Sequence, residues 1–245
     1  ADILVTWTML LSGLGIASIL VSGAFLREVV FDPIHDGHLA LGQAAYELLK
    51  LDHVLFVPAA RPPHKVADRV TDPETRCRMV ELAIAGNPAF EMSRMEIDRP
   101  GLSYTIDTLR AITAERREGG AAPELTLILS VESLLGFNEW EDATGILDLA
   151  RVAALPRPGT PTPDRAWLTR HFPGREDRFL YLDGFHLSHA SRELRALAAR
   201  GRSLRYLVPD AVADFIRREG LYRGRPELVL ERPVEVEDVP VDPAS

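Results

Sequence analysis

The segment Phe31–His38, which reads Phe-Asp-Pro-Ile-His-Asp-Gly-His, constrains the fold and chemistry of this chain more than any other feature. The apolar run Val29–Phe31 leads into it, and residues 41–49 follow it with apolar side chains at helical spacing. We therefore expect the histidine pair to lie where a strand turns into a helix. Gly37 would allow a sharp backbone turn there. Free N–H groups at the helix start, its positive dipole end and two imidazole donors together predict a phosphate site.

Short apolar runs alternate with helical patterns along the rest of the chain. The runs predicted as strands after the first are His53–Pro58, Phe90–Ile97, Leu125–Leu129, Val152–Leu155 and Phe179–Leu182. Residues 71–74 predict a helix start in which Thr71 is the capping residue. Two helices are predicted near the end, Ser191–Ala199 and Asp210–Glu219.

This alternation predicts an α/β fold of the Rossmann-like, doubly wound type. The expected architecture is a parallel sheet with helices on both faces and a C-terminal helical segment. Ligands of such sheets bind at the carboxyl ends of the strands. The histidine segment follows strand one, so it lies where a ligand is expected.

The composition limits the classes of partner and compartment. The 245 residues carry a formal net charge of −8, so the chain has no basic excess with which to bind a nucleic-acid backbone. Cys77 is the only cysteine, which excludes an intrachain disulfide and suits a reducing, cytoplasmic compartment. The sequence leaves the oligomeric state open and is compatible with a homo-oligomer.

The N-terminal stretch from Ile3 to Leu26 contains no charged residue and is long enough to cross a bilayer. Two interpretations follow: a membrane anchor, or a first core strand with an apolar extension. Eight Ser, Thr and Gly residues within the stretch and few flanking basic residues favour the second, so membrane contact is not favoured. The predicted organisation is an apolar extension over residues 1–20, one folded domain over 21–222 and a mobile tail over 223–245.

Six short motifs occur in order along the chain. They are residues 31–38 (the histidine segment), 62–65 (Pro-Pro-His-Lys), 103–108 (Ser-Tyr-Thr-Ile-Asp-Thr), 137–140 (Phe-Asn-Glu-Trp), 156–159 (Pro-Arg-Pro-Gly) and 205–209 (Arg-Tyr-Leu-Val-Pro). In their order and spacing, from Phe31 to Tyr222, the chain resembles bacterial nicotinate-nucleotide adenylyltransferases of the H-x-G-H nucleotidyltransferase superfamily. The resemblance implies a nucleotidyltransferase domain and a reaction of NAD biosynthesis, in which ATP and nicotinate mononucleotide give deamido-NAD and pyrophosphate.

The resemblance implies four catalytic residues, His35, His38, Lys65 and Arg195. The histidines would donate hydrogen bonds to ATP phosphates, Lys65 would be a point charge for phosphate, and Arg195 would hold the β- and γ-phosphates. Because the phosphate of the acceptor is already a nucleophile, no general base is required, and catalysis consists of positioning and charge neutralisation. The implied cofactor is Mg²⁺, which would bridge ATP oxygens and need few protein ligands.

The other expected site residues divide by substrate. Around ATP the resemblance implies Phe31, Gly37, Glu132 and Ser191. Around nicotinate mononucleotide it implies Thr105, Asp107 and Trp140, of which Thr105 and Trp140 match positions near the nicotinate ring. Glu132 would replace the acid that touches the ribose or the amine of the base.

Three segments depart from the family pattern. Glu28–Val30 stands where the family has Gly-Gly-Thr, although valines cannot copy the close backbone approach of glycine and a glutamate repels phosphate. In a second register, Ser22–Phe25 supplies the glycine turn and residues 26–31 are an insertion. Ser130–Glu132 replaces Gly-Ala-Asp, and His189–Arg192 replaces Ile-Ser-Ser-Thr.

These departures leave two alternatives to an active adenylyltransferase of this specificity. One is a nucleotide-binding homologue of the same fold that has lost catalysis. The other is an adenylyltransferase for a different acceptor, of the nicotinamide-nucleotide or phosphopantetheine type.

Overall fold

The computed structural model describes residues 17–22, 30–61, 70–118, 124–156, 160–182 and 190–224. In these ranges six parallel strands form one sheet. They are β1 (Ala17–Ser22), β2 (His53–Val57), β3 (Phe90–Met92), β4 (Glu124–Ser130), β5 (Ala150–Leu155) and β6 (Phe179–Tyr181). Their order across the sheet is β3-β2-β1-β4-β5-β6, so the direction of winding reverses between β1 and β4. The predicted doubly wound α/β fold is thereby confirmed, and a ligand crevice is expected beyond the carboxyl ends of these two strands.

Helices connect the successive strands, and two more follow the last strand. They are α1 (Asp36–Leu49), α2 (Pro73–Ile84), α3 (Thr105–Glu118), α4 (Val131–Leu135), α5 (Ala143–Leu149), α6 (Arg165–His171), α7 (Ser191–Ala199) and α8 (Asp210–Arg218). Helices α7 and α8 form the predicted C-terminal helical segment. Within the described ranges, no helix combines the length and apolar character needed to cross a membrane.

Two hydrophobic clusters cover the two faces of the sheet. Side chains of α1, α2, α7 and α8 build the first, and those of α3 to α6 build the second. Within β4, Ile128 belongs to the first cluster and Leu127 and Leu129 to the second, as the two-residue period of a strand requires. Each large apolar side chain that is fully buried in these clusters contributes about 1.5–3 kcal/mol. Phe31 and Ile34 enter the first cluster, so the histidine segment is anchored in the core.

The first strand lies further upstream than predicted. β1 ends at Ser22 and pairs with β2 and β4, whereas Val30 and Phe31 lie outside any strand. Val30 and Phe31 are apolar for another reason: they belong to a loop that is buried. The residue that follows the strand in sequence is Gly23, which agrees with the second register.

The structure bears on the predicted domain organisation only at the boundary between the extension and the domain. Residues 17–20, assigned to the apolar extension, belong to β1 at the centre of the sheet, so the boundary between residues 20 and 21 falls inside a strand. A uniformly apolar stretch hides this boundary, because a buried parallel strand and an apolar extension look alike. Residues 1–16, 23–29 and 225–245 lie outside the described residues, so the rest of the extension and the mobile tail stay predictions.

The third strand is shorter than predicted. The prediction extends it to Ile97, but β3 ends at Met92, opposite Phe56 of β2. β2 itself ends one residue later, and the next residue, Pro58, has no N–H with which to continue the ladder.

The residue that caps α2 is Asp72 and not Thr71. Asp72 Oδ1 accepts a hydrogen bond from the N–H of Thr75 at 2.9 Å. Thr71 bonds through its backbone instead: its N–H donates to Asp32 Oδ2, and its carbonyl accepts from Arg76. The predicted cap therefore joins α2 to the histidine segment.

Candidate active site

We call residues 31–38 the histidine turn. His35 is the N-cap residue of α1, with an extended backbone (φ −146°, ψ 170°). Its Nδ1 accepts a hydrogen bond from the N–H of Gly37 at 3.1 Å, and the Nδ1 of His38 accepts one from the N–H of His35 at 3.2 Å. The two rings stack with their centroids 3.7 Å apart and are only 4% and 8% exposed. The structure therefore brings the two predicted histidines into direct contact.

The hydrogen bonds to both Nδ1 atoms select the tautomer of each ring. A neutral imidazole that accepts at Nδ1 carries its proton at Nε2. His35 and His38 therefore each have an Nε2–H donor. Two neutral rings also avoid the repulsion that two imidazolium ions would have at this spacing. Such a donor pair suits the oxygens of a phosphate.

The prediction of free backbone N–H groups at the start of α1 is wrong. The N–H of Asp36 donates to the carbonyl of Leu207 at 3.2 Å, and the next three N–H groups donate to the side chain or the carbonyl of His35. The His35 side chain takes one of these N–H groups as the helix cap, the His35 carbonyl takes two, and the carbonyl of Leu207 takes the fourth. Open N–H groups are therefore not the donors that this helix start offers to a phosphate.

The sharp turn of the backbone occurs at Phe31 and not at Gly37. Gly37 is the second residue of α1, whereas Phe31 takes a left-handed conformation (φ +52°) with its ring fully buried. That ring meets His38 edge-on at 5.2 Å and packs on Phe56 at 5.8 Å. A left-handed bulky residue costs about 1–3 kcal/mol, which burial of the ring offsets. Phe31 thus supports His38 from the core side.

A buried carboxylate holds the histidine turn to distant parts of the chain. Asp32 Oδ2 accepts from the N–H of Thr71 at 3.1 Å, and its Oδ1 accepts from the hydroxyl of Tyr222 at 2.7 Å. Burial, together with the Asp32 carboxylate, raises the pKa of Tyr222 well above its usual value, so the hydroxyl stays a donor. The turn is therefore fixed at its second residue by the start of α2 and by the segment after α8.

Helix α7 places two predicted residues next to the histidine turn. The Ser191 hydroxyl donates to the carbonyl of Pro33 at 3.0 Å, and Arg195 Nη1 donates to the carbonyl of Asp32 at 2.6 Å. Arg195 Nε is buried and has no hydrogen-bond partner among the described residues. A buried guanidinium donor without a partner, beside two histidines, fits the predicted contact with ATP phosphates.

Sequence reasoning missed Arg76, a fully buried residue of α2. Its guanidinium donates to the carbonyls of Val30 (3.0 Å), Ala59 (2.6 Å), Thr71 (2.8 Å) and, at a longer distance, Ala60 (3.5 Å).

Burial lowers the pKa of Arg76, and the Asp32 carboxylate counteracts this effect. Arg76 thus joins the residue before the histidine turn to the end of β2 and the start of α2. Its place three and four residues before Met79 and Val80, on the inner face of α2, is the signal that could have found it.

The end of β4 lies at the same edge of the sheet as the histidine turn, because β4 is the neighbour of β1. Ser130 caps α4 there by accepting a hydrogen bond from the N–H of Ser133 at 3.4 Å. Glu132 lies in the first turn of α4, and its Oε1 accepts from the hydroxyl of Thr160 at 3.2 Å. The predicted ATP residue is therefore at the expected edge of the sheet, tied to the segment after β5.

The three residues predicted for the acceptor have different environments. Thr105 is the first residue of α3; it is 4% exposed, and its hydroxyl has no partner among the described residues. Asp107 lies in the same turn, half exposed, with its Oδ1 3.8 Å from Nη1 of Arg110. Trp140 is buried in the second cluster, edge-on to Phe137 at 5.0 Å. Of the three, Thr105 has the environment that best fits a ligand contact.

Two further expectations concern Lys65 and a metal ion. Lys65 belongs to residues 62–69, which lie outside the described residues. In the part of the chain that the structure describes, no group of three or more His, Cys, Asp or Glu side chains could hold a metal ion.

A parallel sheet wound in this order, with paired histidines at the start of its first helix, defines a Rossmann-like nucleotidyltransferase. Residues 30–216, well over half of the chain, match the family described as cytidylyltransferase-like. A protein of Roseiflexus sp. (strain RS-1), named "Probable nicotinate-nucleotide adenylyltransferase", is 42% identical over 193 residues, which cover 79% of this chain and 94% of that protein. A protein of the same name from Symbiobacterium thermophilum is also 42% identical, over 78% of this chain and 91% of its own length.

The chain belongs to the nicotinate-nucleotide adenylyltransferase family and is an enzyme of the nucleotidyltransferase class. Among solved structures, the Plasmodium falciparum nicotinic acid mononucleotide adenylyltransferase complexed with NaAD has the same fold. The TM-score is 0.66 at 16% identity, and the match covers 84% of this chain and 97% of that one.

Proposed function

We propose that the enzyme transfers the adenylyl group of ATP to nicotinate mononucleotide, giving deamido-NAD and pyrophosphate. An oxygen of the acceptor phosphate attacks the α-phosphorus of ATP, the bond from that phosphorus to the bridging oxygen breaks, and pyrophosphate leaves. The observation that carries the proposal is the stacked pair of neutral imidazoles at the start of α1, beside an arginine of α7. Membership of the family supports the same reaction, as does the NaAD complex of a protein with this fold.

The histidine pair acts by stabilising charge in the transition state. Negative charge grows there on the α-phosphate oxygens and on the departing pyrophosphate. We assign the Nε2–H donors of His35 and His38 to these oxygens, and the guanidinium of Arg195 to the pyrophosphate. Both rings are already fixed by backbone hydrogen bonds and by stacking, so little reorganisation is needed when the charge develops. The positive end of α1 acts in the same direction.

The roles proposed for magnesium and Lys65 follow from the family resemblance, and the proposed location follows from the composition. A Mg²⁺ ion bound by the phosphates of ATP would neutralise part of their charge, alongside the donors of His35, His38 and Arg195. Lys65 serves as a further phosphate contact. We also propose a cytoplasmic location, where nucleotides are available and the single cysteine stays reduced.

A nucleotide-binding protein without catalysis is the second candidate function. The altered segments Ser130–Glu132 and His189–Arg192 favour it, since both belong to the nucleotide-facing part of the family pattern. The position of β1 weakens it. A strand that ends at Ser22 is followed directly by a glycine, which is the residue type that a close approach of phosphate to the backbone requires.

Product formation separates the two candidates. With Mg²⁺, ATP and nicotinate mononucleotide, the full chain is expected to release pyrophosphate and dinucleotide in equal amounts. With nicotinamide mononucleotide the rate is expected to fall about tenfold or more, because the dipole at the start of α3 favours a carboxylate over a neutral amide. A folded sample that binds ATP in calorimetry but forms no dinucleotide with any of these acceptors would support the second candidate and refute the first.

Replacing Thr105 by valine is expected to change stability and binding in opposite directions. Valine has a similar shape but lacks the buried hydroxyl that has no described partner, so the free energy of unfolding should rise by about 1 kcal/mol. The KM for the acceptor should rise about tenfold, while the KM for ATP stays the same. Urea denaturation and steady-state kinetics measure the two effects. Thr105→Ser keeps the hydroxyl and is the control; an unchanged acceptor KM in the valine variant would remove Thr105 from the site.

A further inference from the structure

Two segments at the carboxyl edge of the sheet are joined through Ser103, which precedes α3 by two residues. Its Oγ accepts hydrogen bonds from the N–H groups of Ala60 at 3.0 Å and Arg61 at 3.3 Å. Its own N–H donates to the carbonyl of Arg61 at 3.0 Å. The two partners lie three and four residues after the end of β2. These three hydrogen bonds therefore attach the start of α3 to the end of β2.

The carboxyl group of Glu96 lies at the same junction and is 1% exposed. Its Oε1 accepts a hydrogen bond of 2.6 Å from the hydroxyl of Thr108, the fourth residue of α3. Glu96 thus binds the end of the first turn of α3, while Ser103 binds the segment after β2.

Two arginines face this carboxyl group. Arg99 donates to the hydroxyl of Thr108 at 3.2 Å, and Arg76 approaches from α2; both favour the ionised form of Glu96. Burial outweighs them and raises the pKa of Glu96 to about 7. Because burial moves its pKa into the neutral range, the Glu96 carboxyl changes its charge there.

We propose that Glu96 is a positioning residue for the acceptor, because it fixes, with Ser103 and Thr108, the first turn of α3 in which Thr105 meets nicotinate mononucleotide. The inference rests on the proposed function, since it takes the start of α3 as the acceptor site. Glu96 acts through the helix and touches neither substrate. Its ionised form accepts a stronger hydrogen bond from Thr108 than its neutral form does, so acceptor binding improves as the carboxyl loses its proton.

The variant Glu96→Gln tests this role because glutamine keeps the shape and one acceptor oxygen but cannot ionise. At a pH about one unit above neutrality, its KM for the acceptor is expected to be about tenfold higher than that of the wild type. Its kcat and its KM for ATP should stay within about twofold. Thr108→Val should have the same pattern. Glu115→Gln makes the same chemical change on an exposed position of α3 and should change none of these values.

The pH profile is the readout that a purely structural role would not change. The acceptor KM of Glu96→Gln, divided by that of the wild type, should rise as the pH rises through about 7, because only the wild type gains the ionised carboxyl. The phosphate of the acceptor also titrates near this range, at about pH 6, but it does so equally for both proteins and cancels in their ratio. Above neutrality the ionised carboxyl costs folding stability, so Glu96→Gln should unfold at no lower temperature than the wild type there.

The outcomes distinguish this inference from the function on which it rests. Equal increases in both KM values, or a ratio of the two acceptor KM values that does not change with pH, would overturn the positioning role. If the wild type makes no dinucleotide from nicotinate mononucleotide, the proposed function fails instead.

Discussion

Replacing His38 by alanine is expected to lower kcat about 10²–10³-fold, the loss seen when one preorganised donor to a developing charge is removed. The variant loses the Nε2–H donor, and it also loses the Nδ1 that accepts the N–H of His35 at 3.2 Å. Stacking on the neighbouring ring disappears as well, so His35 becomes less well fixed. The KM for ATP should change only a few fold, because most of the lost interaction belongs to the transition state. Pyrophosphate release under steady-state conditions measures both constants.

His53 is the matched control for this experiment. It lies at the first residue of β2, at the opposite edge of the sheet, with its Nδ1 3.3 Å from Oε1 of Glu91. His53→Ala should therefore leave kcat unchanged. If His38→Ala keeps more than about a tenth of the wild-type rate, the histidine does not stabilise the transition state in the proposed way.

Replacing Arg76 by methionine is expected to lower the free energy of unfolding by about 3–5 kcal/mol. Methionine fills much of the volume but has no donor, so the buried carbonyls of Val30, Ala59 and Thr71 lose their partner. The buried carboxylate of Asp32 loses a nearby positive charge at the same time. Urea denaturation with comparison of the m-values measures the change.

A second arginine of the same helix provides the control. Arg78 is exposed and paired with Glu81 at 2.9 Å, and such surface pairs contribute little, so Arg78→Met should stay within about 0.5 kcal/mol of the wild type. Arg76→Lys should recover only part of the loss, because a single ammonium group cannot copy the fork of the guanidinium. A loss below about 1 kcal/mol in Arg76→Met would mean that the carbonyls find other partners.

Most of the sheet could be predicted because its strands are short apolar runs between helical patterns. Four strands begin and end within two residues of the predicted positions, namely β2, β4, β5 and β6. The first strand could not be found in the same way, because residues 3–26 are apolar throughout and offer no change of pattern at either end of β1. The end of β3 was missed because it depends on its partner strand, which stops before Pro58.

The sequence predicted which residues come together at the histidine turn better than it predicted the backbone there. The two histidines stack on each other, and Arg195 bonds to the carbonyl of Asp32 in the same turn. The use of His35 as a helix cap was not predicted, because capping positions are usually held by Ser, Thr, Asp or Asn. The cap explains why the N–H of Gly37 is already bonded and why His35 has its proton at Nε2. The proton position of His38 follows instead from the bond that its Nδ1 accepts from the N–H of His35.

The hydrogen bond between Asp32 and Tyr222 joins residues that are 190 positions apart. A ribosome delivers the N-terminal part of a chain first, so both histidines emerge long before the tyrosine that completes the support of their turn. The arginine of α7 also arrives late, 163 positions after Asp32. A growing chain could therefore form much of the sheet while its phosphate site is still unfinished. Catalysis would begin only after the last described helix has been synthesised.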